Sequence, residues 1–447
     1  MADPNVVRDL GDGLVLRRAT PDDLESLLAL QGETLRDPDE TEPNEHLIHW
    51  TRDLMSGTHP TIQPSDFTLV VDTKTGAAVS SLNLISQTWA YAGIPFGVGR
   101  PEVVCTLPDY RGRGLVRAQF EVIHGWSAER GELVQAITGI PWFYRQFGYE
   151  MAMDLGGDRK GYRTHVPKLK DGEPEPYRVR PAQAVDLPFI AQLYAHGQQR
   201  YPITCLRDDA MWRYELDGRH PKNGERTELR IVETAGGEPV GFLTHLPMVW
   251  KGKCYLWKAF ELKPGISWAA VIPGVFRYLQ ETGDAYAAAT PKHGPCETFV
   301  FSLGADHPAY HAARNLLPDV RKPYAWYMRV ADLPGFLRHV RPALETRLAA
   351  SILSGHTGEA KISFYRSGLR LVLEGGRLTE ITPWQPTVKE GGDAAFPNMT
   401  FLQMLFGYRT FDELDAAFAD CWAGNDTTRE LLDALFPKST SCVWPIS

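Results

Sequence analysis

The sequence predicts an α+β protein of three successive units, two built on one repeated plan and a third built on another. Three observations predict it. Residues 103–116, Val-Val-Cys-Thr-Leu-Pro-Asp-Tyr-Arg-Gly-Arg-Gly-Leu-Val, read as a β-branched strand, a basic glycine turn and a helix start, with an apolar stripe at Val116, Phe120 and Ile123. The pattern Leu16-Arg17-Arg18…Asp23-Leu24-Glu25-Ser26-Leu27 recurs as Val179-Arg180-Pro181…Asp186-Leu187-Pro188-Phe189-Ile190. From about residue 332 the pattern changes to one helix, three alternating strands and further helices.

In order along the chain, Leu14–Leu30 reads as a strand and then a helix, with Thr20 as N-cap, Pro21 at the first helical position and Asp22 and Asp23 in the first turn. A polar, Pro-containing stretch from 36 to 65 holds one helical pattern around His46–Leu54. Phe67–Val71, the turn Asp72–Gly76 and Ala78–Ile85 alternate like a hairpin, and Leu133–Thr138 reads as a buried strand. Residues 157–176, charged and punctuated by Gly and Pro, read as a linker or exposed arm. The second unit, 177–331, repeats the hairpin (Leu229–Val232, Val240–His245), an apolar strand (Tyr255–Leu262) and a helix (Ser267–Leu279). The third, 332–447, opens on the helix Leu333–Ala350 and continues with strands Lys361–Tyr365, Leu369–Glu374 and Arg377–Thr382. It closes on the amphipathic segments Thr400–Phe406 and Thr428–Phe436.

Composition limits the function classes. At 447 residues the chain exceeds one ordinary core, and 43% hydrophobic with 23% charged residues is the balance of a globular protein in water. A formal charge of −8 argues against nucleic acid or an anionic membrane as partner. The polar start Met1-Ala2-Asp3-Pro4-Asn5 lacks the apolar stretch of a signal peptide, and no eighteen consecutive apolar residues occur, so a cytoplasmic location off the membrane is expected. Six cysteines without a Cys-x-x-Cys pair read as reduced thiols, and thirteen histidines without ligand spacing predict no metal.

The turn itself carries chemistry. Glycines let the backbone approach an anion, the first N–H groups of the helix point outward, and arginine forks suit phosphate oxygens. Residues 111–116, Arg-Gly-Arg-Gly-Leu-Val, resemble the acyl-CoA motif Arg/Gln-x-x-Gly-x-Gly/Ala of the GCN5-related N-acetyltransferase (GNAT) superfamily, with Val116 at a position usually Gly or Ala. Pro141-Trp142-Phe143-Tyr144-Arg145-Gln146-Phe147-Gly148-Tyr149 is similar to the segment that closes that fold, a helix running into a strand. The valine, the domain order and the segment Thr400–Gly407 resemble the enhanced intracellular survival (Eis) branch, in which two GNAT folds precede a sterol-carrier-like domain.

That resemblance implies a donor, acetyl-CoA, and an acceptor, a small amine such as an aminoglycoside, a polyamine or a lysine side chain. It further implies a homo-oligomer, with a hexamer as one form. The backbones of Val104 and Thr106 would pair with pantetheine, and Arg111, Gly112, Arg113, Gly114 and Leu115 would take the pyrophosphate. Tyr144 would be the general acid that relieves the thiolate. Two bases stay open. One is the C-terminal carboxylate, here on Ser447 after an apolar, Pro-stiffened tail. The other is Glu102, two residues before Val104 and expected on the same face. Cys105 is expected on the opposite face as a core residue, so transfer should be direct. Trp50 matches a pocket wall of the branch. The second unit has Glu261-Leu262-Lys263-Pro264-Gly265-Ile266-Ser267 in place of the basic turn, so its cofactor site is expected to be inert. The alternative reading is a lipid or small-ligand carrier whose C-terminal domain is the working part.

Overall fold

The structure, a computed structural model, describes residues 5–36, 42–291, 294–397 and 399–447. Residues 1–4 of the polar start and 37–41 of the polar stretch lie outside the described residues.

Among the described residues three sheets organise the chain. The first runs Val6–Gly11, Leu14–Arg18, Phe67–Asp72, Ala77–Tyr91, Ile94–Thr106, Val134–Ile137, Tyr324–Arg329 and Glu150–Leu155, with Ile203–Cys205 paired to Trp89–Tyr91. Side-chain alternation gives this sheet two apolar faces. Ile85 and Cys105 meet Leu27 and Leu30 of helix Leu24–Thr34 and Leu54 of helix Glu45–Leu54. Leu82 and Leu84 meet Leu115, Phe120 and Ile123 of helix Leu115–Glu129.

The internal repeat has a structural basis. The Asp23 carboxylate accepts the Thr20 N–H at 2.8 Å and pairs with Arg17 at 2.5 Å, which caps the turn before the first helix. In the second unit Asp186 accepts the Gln183 N–H at 2.8 Å and pairs with Arg180 at 2.7 Å, ahead of helix Leu187–Gln198. The same clasp starts both units. The second sheet is ordered Asp319–Arg321, Asp158–Tyr162, Thr298–Ser302, Lys253–Leu262, Pro239–Trp250, Glu228–Thr234 and Tyr177–Pro181. Helix Trp268–Ala289 packs on it and runs past the expected end at Leu279, because Tyr286 and Ala287 continue the apolar contact.

Two strands cross the expected boundaries. Asp158–Tyr162, inside the stretch 157–176 expected as a linker, joins the second sheet between Thr298–Ser302 and Asp319–Arg321. Tyr324–Arg329, expected at the end of the second unit, enters the first sheet between Val134–Ile137 and Glu150–Leu155. The sheets therefore do not follow the expected units strand for strand: Asp158–Tyr162 lies in the second sheet and Tyr324–Arg329 in the first. Charged residues and glycines masked the first of these strands, whose backbone is hydrogen-bonded on both sides whatever its intrinsic β-propensity.

The third unit packs helix Leu333–Ala349 on strands Gly358–Ser363, Gly368–Glu374 and Arg377–Trp384, with two-residue strands Ala394–Ala395 and Trp422–Ala423 completing the sheet. Helices Phe401–Leu405 and Asp426–Leu435 follow expectation. Phe411–Ala417 was not anticipated and is started by a Thr410–Glu413 capping box. The tail then leaves this unit. Trp444 packs against Tyr194 and Trp212, and Ile446 is buried with Met211 and Tyr214.

Candidate active site

The site begins with one extra residue. Between the pairs Ser81–Cys105 and Asn83–Glu102, two residues of strand Ile94–Thr106 oppose one of Ala77–Tyr91. Val103 takes up the bulge at φ 51°. On its other edge the strand pairs in parallel with Val134–Ile137 only at Val98–Val134 and Gly99–Gln135, and the two then diverge. A cavity of about 650 Å³ lies by this fork, walled by Val104, Cys105, Thr106, the turn residues Arg111, Gly112 and Gly114, the helix start Leu115–Arg117, Phe143 and Phe147.

The glycine turn has the geometry that the sequence implied. Gly112 and Gly114 stand at φ 75° and 76°, and a Cβ at either would meet nothing within 4 Å, so glycine here serves backbone conformation and leaves the backbone uncovered. The first intrahelical bond is Ala118 N–H to Gly114 C=O at 3.0 Å, leaving the N–H groups of Leu115, Val116 and Arg117 ahead of the ladder. Arg111 donates from Nε to the Thr106 carbonyl at 3.3 Å and lines the cavity. Arg113 does not. It donates to the Asp109 carbonyl at 3.0 Å and covers the Tyr110 ring at 4.8 Å. Its place in the wall belongs to Arg117, which the sequence reading missed and which donates to Gln146 Oε1 at 3.1 Å. The available signal was spacing: three residues past Gly114, Arg117 lies about one helical turn above the glycine.

Tyr144 sits on a 3-10 turn, Phe143–Phe147, where a helix running into a strand is expected. It is buried, with its ring 5.4 Å from Tyr327 and 6.0 Å from Phe120. Gly139 stands beside it at φ 123°, a backbone conformation that favours glycine. Among the described residues the Tyr144 hydroxyl has no hydrogen-bond partner. Burial, with the negative charge of Glu102 and the neighbouring Tyr327, holds its pKa well above the usual phenol value. It is a phenol that keeps its proton.

The two candidate bases come together, but not as expected. The bulge breaks alternation, so Glu102 does not share the face of Val104. Val104 packs with Leu115 and Phe120, whereas Glu102 pairs with Arg100 beside the C-terminal tail. Arg100 also donates to the Ile446 carbonyl at 3.0 Å and to Ser447 Oγ at 2.9 Å. Gln87 holds the Ile446 carbonyl at 2.5 Å, and Arg219 donates to the Ser447 backbone oxygen. Ser447 is only 3% exposed. Burial outweighs Arg100 and raises the Glu102 pKa. The buried His59 beside Ser447 is pushed down to about 3 by burial and by Arg219, so it is neutral at pH 7. Glu215 holds both Arg207 and Arg219, and despite its burial these charges hold it at about 2. Trp50, half-buried on helix Glu45–Leu54, packs with the Leu27–Leu54 cluster, and its Nε1 is buried without a partner among the described residues.

The second unit keeps the fork and fills it. Lys258 stands at φ 79° in the equivalent bulge, and the parallel pairing ends at Trp257–Ser302. Glu261 is buried there against Arg200, with His307 at 3.8 Å. Among the described residues no group of three or more His, Cys, Asp or Glu side chains could hold a metal, and no helix is long and apolar enough to cross a membrane.

Residues 15–152 match the family model described as acetyltransferase (GNAT) domain. No curated protein matches the chain in sequence. Among solved structures, the chain is similar to a conserved protein of unknown function from Enterococcus faecalis V583, a probable N-acyltransferase, at 13% identity and TM-score 0.66, covering 97% of this chain and 100% of that one. It is similar to a GCN5-related N-acetyltransferase from Kribbella flavida at 16% identity and TM-score 0.63, with 97% and 100% covered. Eis1 from Mycobacterium abscessus matches at 13% identity and TM-score 0.59, with 96% and 98% covered. At such identities the likeness is one of fold, and it spans nearly all of each chain. With the fork, the glycine turn and the family match on the same residues, the first unit carries a GNAT acetyltransferase domain and the protein is an enzyme, an N-acetyltransferase.

Proposed function

We propose that the enzyme passes an acetyl group from acetyl-CoA directly to a primary amine, of the aminoglycoside, polyamine or lysine-side-chain kind, in the first unit alone. The observation that carries this reading is the 650 Å³ cavity at the strand fork, where unpaired strand edge, glycine turn and two arginines converge. The free edge at Val104–Thr106 suits the amides of pantetheine, and the turn with Arg111 and Arg117 suits the pyrophosphate. Tyr144 hands its proton to the departing thiolate. Burial pushes the Cys105 thiol up to about 12, which favours direct transfer over an acetyl-enzyme. In the second unit the turn Lys263–Ser267 has no arginine, and Glu261 of the strand before it is already paired with Arg200, which supports an inert cofactor site.

The amine proton goes to the Ser447 end group, with Glu102 balancing Arg100 beside it. Support comes from the shared guanidinium and from the bulge, which takes Glu102 off the face of Val104. Calorimetric titration of acetyl-CoA tests the reading. One site per chain is expected, weakened at least tenfold in an Arg111→Ala/Arg117→Ala variant; no saturable binding would reject it. Removing residues 445–447 should lower kcat by about 10²-fold or more while acetyl-CoA affinity holds. Unchanged turnover would take the base role from Ser447.

A further inference from the structure

Arg329 ends the exchanged strand Tyr324–Arg329 and has no carboxylate within ion-pair distance among the described residues. Among the described residues its one hydrogen bond is Nη1 to Gln135 Oε1 at 2.6 Å. Burial lowers its pKa, and only Tyr149 opposes that. Arg100 and Arg145 nearby are each matched by a glutamate, Glu102 and Glu150. A partly buried guanidinium without a counter-charge is costly unless something completes it.

Arg329 borders a cavity lined mainly by apolar residues. This cavity of about 570 Å³ between the first and third units is walled by Arg329, Gly148, Leu333, Phe364, Leu369 and Leu402 among others. Gly148 stands at φ 87°, and a Cβ there would lie 3.4 Å from Arg329 Nε, so glycine keeps that side of the guanidinium uncovered. Asp332 also borders the cavity, but its carboxylate caps a helix through the Gly335 N–H at 3.0 Å and lies 3.9 Å from Arg338.

We propose that this cavity binds a single-chain amphiphile with a carboxylate head, which Arg329 holds while the apolar wall takes the chain. The volume suits a medium-length chain. One guanidinium matches one negative charge, and a dianionic phosphate would carry excess charge beside Asp332. The site is separate from the acyl-transfer cavity and requires nothing of that reading. The test is calorimetric titration of dodecanoate, dodecanol and dodecyl phosphate into the full chain and into Arg329→Gln and Leu333→Trp variants. Dodecanoate should bind one to one, at least tenfold more tightly than dodecanol or dodecyl phosphate. Arg329→Gln should bind dodecanoate no better than dodecanol, and Leu333→Trp, which fills the cavity, should bind neither. Equal affinity for the alcohol or the phosphate, or full affinity in either variant, would overturn the proposal. If Arg329→Gln does not fold, Leu333→Trp decides.

Discussion

Tyr144 and Glu102 show how single side chains acquire roles from their surroundings. Burial holds the Tyr144 proton through the neutral range, the condition for a phenol that must donate as charge develops on sulfur. Tyr144→Phe keeps the ring packing against Phe120 and Tyr327 and removes only the hydroxyl. We expect kcat to fall by about 10²-fold with little change in KM for acetyl-CoA, read in a thiol-release assay. A loss confined to KM would make Tyr144 a packing residue. The same reasoning separates Arg113 from Arg117, which have one charge and two fates. One folds back on its own turn, and the other reaches the cavity wall from the helix.

At the scale of elements, the fork depends on backbone geometry more than on side chains. The bulge at Val103 sets which face each later residue takes, and the left-handed Gly112 and Gly114 open the turn toward an anion. Gly114→Ala should cost about 1–2 kcal/mol from the left-handed conformation alone, since its Cβ would meet nothing. Gly125, inside helix Leu115–Glu129 and equally uncrowded, is the control: Gly125→Ala should be neutral or stabilise by up to about 1 kcal/mol. Thermal unfolding distinguishes them, and acetyl-CoA affinity should fall only for Gly114→Ala. Equal melting temperatures would remove the conformational argument.

On the scale of the whole molecule, exchanged strands and the docked tail tie the three units to one site. Glu215 is central to this. It lies in the second unit, holds Arg207 and Arg219, and through them steadies the carbonyl of Trp444 and the end group of Ser447. Glu215→Gln removes the carboxylate that two buried cations share and should destabilise by about 3–5 kcal/mol in urea at pH 7. The folded-state pKa, about 2, lies below the ordinary 4.5, so this contribution is present above pH 4.5 and is lost as pH falls toward 2. Wild type and variant should therefore converge in stability across that window. A gap that persists at pH 2 would mean the charge is not what matters.

The sequence by itself determined the local devices: the capped helix starts that repeat at Arg17–Asp23 and Arg180–Asp186, the strand–turn–helix over 103–116, and the aromatic turn bearing Tyr144. Each is legible because φ preferences, capping and periodicity act over a few neighbouring residues. Only the tertiary structure decided that Glu102 turns from Val104, that Arg117 replaces Arg113, that two strands change sheets and that the tail ends beside Arg100 and Arg219. The physical reason is that one bulge inverts every later facing in a strand. Pairings between residues 158 and 302, or 137 and 327, are selected by the backbone edges left open after the local elements form, and their own composition does not announce them.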